Sequence, residues 1–72
     1  MNAFEKAVRA AMARAGMNQT ETAGRIGTTT PALNRWLKSG ASTLRTLDKF
    51  AAACGTSSSA ILAERDELAG EA

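Results

Sequence analysis

The chain has 72 residues, 44% of them hydrophobic, and its charges leave a net of +2. That is the size of one small domain, in which a single core is only marginally stable. With no His and one Cys, these residues exclude an intramolecular disulfide, a Cys/His metal site and a Ser-His or Cys-His catalytic pair, so neither enzymatic activity nor a cofactor or metal is expected.

Much of the apolar content is alanine, which favours helix, and strand formers are scarce. An all-α fold follows. Asn2 and Glu5 have the spacing of a capping box and start a first helix at Ala3. Phe4, Val8, Ala11, Met12 and Ala15 form its apolar stripe, and Gly16 ends it. Asn18 and Glu21 repeat the capping spacing and start a second helix at Gln19. This helix buries Ala23 and Ile26; Ala23 is small where the next helix crosses close to it, and Gly27 suits a left-handed turn.

In the third helix, Leu33, Trp36 and Leu37 share one face, while Pro31, Asn34, Arg35 and Lys38 share the other. The second face carries an amide, a guanidinium and an ammonium and has nothing apolar to bury beyond the proline. Pro favours the first helical position, which makes Thr30 the N-cap. Gly40 terminates the helix. Ser42 caps a fourth helix whose inward residues are Leu44, Leu47, Phe50, Ala51 and Cys54, with Gly55 closing it. Cys54 is therefore expected to be a small buried hydrophobe. Ser57 caps a fifth helix with Ile61, Leu62 and Leu68 as its apolar residues, and Ala69 to Ala72 are expected to fray.

Charge is unevenly placed. From Arg25 to Lys49 five bases face Asp48 alone, a net of +4, whereas from Ile61 onward Arg65 faces Glu64, Asp66, Glu67 and Glu71, a net of −3. The basic segment contains the polar helix face, as a polyanion partner requires. No apolar run approaches membrane-spanning length and no signal-peptide core is present, so no membrane partner is expected. A cytoplasmic location with a reduced Cys54 is.

The stretch QTETAGRIGTTTPALNRWLKSG, from Gln19 to Gly40, resembles the helix-turn-helix of the lambda-repressor/Cro-like family in the spacing of Gln19, Ala23, Ile26, Gly27, Thr29, Leu33 and Trp36. Ser42 to Leu62 is similar to that family's fourth helix and the start of its fifth, and Phe4 to Met17 fits its first. The resemblance implies a five-helix DNA-binding domain over 1–72, with the helix-turn-helix at about 19–38 and the third helix in the major groove. The family pattern places the N-cap at Thr29, one residue before the position that Pro31 favours, and the sequence leaves both open.

On a major groove, Arg35 matches the O6 and N7 of guanine, and Asn34 pairs bidentately with adenine. Thr29 and Thr30 reach a base edge or a phosphate, and Pro31 offers apolar contact to a thymine methyl. The resemblance implies that Gln19 bonds a phosphate or braces a base-contacting side chain. Lys38, Ser39 and Arg45 supply phosphate contacts, which position the domain without specifying sequence.

Several residues depart from the family pattern. Thr22 and Thr28 stand where aliphatic residues are usual, which is expected to weaken packing around the second helix. Leu37 stands where Glu is common, Pro31 replaces a side chain that often bonds a base, and the link to the fourth helix lacks the usual Pro and is one residue short. Family members bind near-palindromic operators as homodimers. The fifth helix is the candidate interface: Ile61 and Leu62 close the core and Leu68 is left for a partner. At 72 residues there is no room for an effector-binding or self-cleaving domain. The expectation is a Cro-type or short phage or prophage repressor, acting by occupancy on the nucleoid. The alternatives are an antitoxin whose acidic C-terminus contacts a basic toxin, and a protein-interaction module of the same fold.

Overall fold

Each helix starts and stops where side chains or backbone freedom close it. The computed structural model describes residues 2–39 and 44–70, and it places five helices there: α1 (Ala3–Arg14), α2 (Gln19–Ile26), α3 (Thr30–Ser39), α4 (Leu44–Ala53) and α5 (Ser58–Gly70). No strand occurs among the described residues. The expected all-α, five-helix architecture is what forms.

The N-caps are mostly those the sequence marks. Asn18 and Glu21 complete a reciprocal capping box at α2. At α1 only half of the box forms: the Asn2 side chain accepts from the Glu5 N–H, but the Glu5 carboxylate turns to Arg9 instead. At α3 the choice falls on Thr29, whose hydroxyl oxygen accepts from the Ala32 N–H at 3.3 Å while its carbonyl accepts from the Leu33 N–H. Pro31 therefore sits one residue inside the helix start, where its missing N–H still costs nothing. Ser57 caps α5 through the Ala60 N–H. The caps expected at Gly40 and Ser42 lie outside the described residues. Helix α5 runs through Gly70, so Ala69 and Gly70 are helical rather than beyond its end.

Gly27 ends α2 in the left-handed conformation, with φ of 77°, and the Thr28 N–H closes the turn on the Ala23 carbonyl at 2.9 Å. This joint sets the direction of α3. A Cβ added at Gly27 would meet nothing within 4 Å, so a substitution there costs only the backbone strain. Gly27→Ala is expected to destabilise the fold by about 1–2 kcal/mol. A thermal melt should fall by about 5 °C or more; an unchanged midpoint would show that the turn does not need the left-handed residue.

The core draws on every helix. Phe4, Ala7, Val8, Ala11 and Met12 of α1 meet Ala23, Leu33, Leu37, Leu47, Phe50, Ala51 and Ile61, and α1 packs chiefly along α5. Trp36 bridges three helices: its ring stands edge-on to Phe4 at 5.2 Å and tilted against Phe50 at 5.5 Å. Its Nε1 is buried without a hydrogen-bond partner among the described residues.

Three expectations need correction. Ala15 is exposed because it is the C-cap, where the chain already leaves the stripe. Leu44 is 63% exposed; as the first residue of α4, its side chain tilts back past the helix end instead of onto the core. Thr22 does not weaken α2: it is fully buried, and its hydroxyl donates to the Asn18 carbonyl at 2.8 Å, which satisfies the polar group. Thr28 is exposed and lines a surface cleft of about 250 Å³ with Ile26 and Trp36.

Candidate nucleic-acid interface

The outer face of α3 follows from its periodicity. Leu33 and Leu37 are 1% and 0% exposed, so they lock the helix rotationally and turn Pro31, Asn34, Arg35 and Lys38 outward. Pro31, Arg35 and Lys38 are exposed and Asn34 is half-buried. The structure thus brings these four onto one surface. Thr29 is exposed and Thr30 half-buried at the N-terminus of the same helix. The Thr29 oxygen is engaged as the helix cap, but its hydroxyl hydrogen is still available to a base edge or phosphate.

At the other end of α3 the arrangement differs from a simple phosphate clamp. The Ser39 hydroxyl donates to the Trp36 carbonyl at 2.7 Å, so it would have to release that bond to donate to a phosphate. The Lys38 carbonyl accepts from Asn2 Nδ2 at 3.4 Å, which ties the end of α3 to the start of α1. The Lys38 ammonium lies at the exposed surface.

Gln19, the first residue of α2, is half-buried. Arg9 Nη1 and Nη2 can only donate, so the Gln19 amide atom that they face at 3.1 and 3.2 Å is assigned as its oxygen, which accepts from both. Arg9 is in turn held by Glu5, whose Oε2 accepts from Nε at 3.2 Å and from Nη2 at 2.9 Å. The sequence reading did not single out Glu5 or Arg9 for the site. Their i,i+4 spacing is a visible ion-pair signal, but only the packing of α1 beside α2 carries it to Gln19.

Elsewhere in the basic segment, Arg25, Arg45 and Lys49 are exposed, and Lys49 lines a cleft with Ala32 and Trp36 of α3. Part of the acidic C-terminal segment is neutralised within the chain: Glu64 pairs with Arg14 of α1 at 2.9 Å, and Asp66 with Arg65 at 3.0 Å. These are exposed pairs, each contributing about 0–1 kcal/mol. Leu62 and Leu68 both pack partly against the core. Burial pushes the Cys54 thiol above its ordinary pKa, and the nearby Arg25 charge opposes this. The thiol is therefore protonated at neutral pH and a poor nucleophile.

A helix-turn-helix family model, HTH_3 of the Cro/C1 type, matches residues 8–61. That span contains α2, α3 and α4 entire. No curated protein and no solved structure matches the chain.

Proposed function

The chain belongs to the Cro/C1-type helix-turn-helix family of DNA-binding regulators, and we propose that within it the chain is a sequence-specific repressor reading an operator with α3. The observation that carries this is the two-sided build of α3. Leu33 and Leu37 are sealed in the core while Pro31, Asn34, Arg35 and Lys38 stand outward, the last three with donors that suit base edges and phosphates. Residues 1–72 act as one domain, with the reading unit at about 19–38. Arg35 and Asn34 read bases. Thr29, Thr30 and Pro31 line the base-facing start of the helix, and Gln19, Lys38 and Ser39 meet the backbone. The operator is near-palindromic and is occupied by two copies related by a two-fold axis, because one such module covers little DNA. Occupancy of the operator excludes polymerase.

Selection of bound duplexes from a random pool by the purified chain, at about physiological salt, tests the reading. Enrichment of a near-palindrome with half-sites about one helical turn apart is expected. A pool without enrichment would overturn the groove-reading role of Asn34 and Arg35 and favour a protein partner for this face.

The phosphate contacts carry a separate expectation. Lys38→Ala should weaken binding to all duplexes alike and lower the slope of log affinity against log salt by about 0.9 for each copy bound, the share of one phosphate contact. A slope equal to that of the parent chain would remove Lys38 from the interface.

A further inference from the structure

Among the proposed contact residues, Gln19 is the one whose side chain is shown held by a side chain of another helix before any DNA arrives. A guanidinium offers five N–H groups along rigid edges. In Arg9 the Nε–Nη2 edge is taken by Glu5 Oε2, and the Nη1–Nη2 end meets the Gln19 amide oxygen at 3.1 and 3.2 Å. The Glu5 side chain is only 8% exposed, so this line of bonds starts in the interior of α1 and ends at the start of α2. An amide whose oxygen is held has only its NH₂ left to offer. That group donates and does not accept, and phosphate oxygens accept and do not donate.

We propose that Arg9 is a positioning residue for DNA binding: anchored by Glu5, it grips the Gln19 carboxamide oxygen and presents Nε2 as a donor to a backbone phosphate. Arg9 contributes geometry rather than counter-charge, because Glu5 already neutralises it. The inference rests on the regulator reading above and adds to it the residue that orients Gln19.

The test uses the full chain and a duplex enriched from the pool. Gln19→Glu keeps the shape and offers Arg9 a better acceptor but has no N–H to donate. It should keep the parent melting temperature or exceed it while binding falls about tenfold. Arg9→Lys keeps a charge beside Glu5, so the buried carboxylate is not stranded, but it loses the planar two-point grip. It should weaken binding about fivefold in the parent chain and less than twofold in a Gln19→Ala background. In the free protein, the Gln19 side-chain amide resonances should shift on Arg9→Lys. Equal effects of Arg9→Lys in both backgrounds, or unmoved Gln19 resonances, would overturn the inference. If the parent chain enriches no duplex, the regulator reading falls and this one with it. If it enriches one and the two effects are additive, this inference falls alone.

Discussion

Leu37→Glu is expected to remove most of the stability of the folded state near room temperature, although Glu is the residue common at this position in the family that the sequence resembles. Leu37 is 0% exposed and belongs to the core cluster with Phe4, Val8 and Leu33. A carboxylate there would be buried without a partner, at a cost of about 3–5 kcal/mol. The buried polar residues of the core, Glu5 and Thr22, are already bonded to Arg9 and to the Asn18 carbonyl. Neither has a donor to spare, and the Trp36 Nε1–H, buried without a partner among the described residues, is a single neutral donor that does not balance a charge. Domains of this kind have about 5–15 kcal/mol of total stability, with small ones near the lower end. Most of it would be lost.

Circular dichroism through a thermal melt reads the global loss, and the single tryptophan, Trp36, reports the core directly by fluorescence. The deficit should also depend on pH in a defined direction. Burial raises the folded-state pKa of the introduced carboxyl, so the penalty is full well above that pKa and disappears as pH falls toward the unfolded value near ~4. The gap between variant and parent should therefore narrow in acid. A melt within about 5 °C of the parent at neutral pH would show that a cation reaches this position. Leu37→Met, which conserves volume, should cost less than about 1.5 kcal/mol.

Arg35→Ala should leave the fold intact and relax the choice of base at one position in each half-site. The side chain is exposed on the outer face of α3, so its removal should change stability by no more than about 0.5 kcal/mol. A bidentate Arg–guanine pair is worth about 1–3 kcal/mol of discrimination, equivalent to roughly fivefold to more than a hundredfold in affinity for the correct base. Repeating the duplex selection with the variant would show one column of the site losing its preference while its neighbours keep theirs. An unchanged site together with an unchanged helical spectrum would remove Arg35 from base reading. The contrast with Lys38→Ala is diagnostic, since a phosphate contact lowers all affinities together and a base contact lowers one.

Much of this molecule is legible without coordinates, for local reasons. The starts of α1 and α2 follow from Asn2 and Asn18, which accept from the N–H three residues on, and the end of α2 follows from Gly27, which takes a positive φ. The inward faces of α1 and α3 follow from spacing, because side chains three and four apart share one side of a helix. Local pattern failed where the outcome depended on a neighbour. Leu44 has the period of an inward residue, yet it lies at a helix end and is exposed. Thr22 looks like a defect in an apolar stripe until the Asn18 carbonyl is found within reach of its hydroxyl.

The number of helices, most of their boundaries and the outward side of α3 are set locally along the chain, because caps, glycine turns and 3.6-residue periodicity act over a few neighbouring residues. The sequence also carried the family, through the spacing of Gln19, Ala23, Gly27, Leu33 and Trp36. That Glu5 and Arg9 belong with Gln19, that Glu64 belongs with Arg14, and that Leu68 leans on the core are consequences of how the helices pack. These contacts join separate helices. Which surfaces meet depends on how the helices cross, and no periodicity within one helix encodes the side chain that will stand opposite.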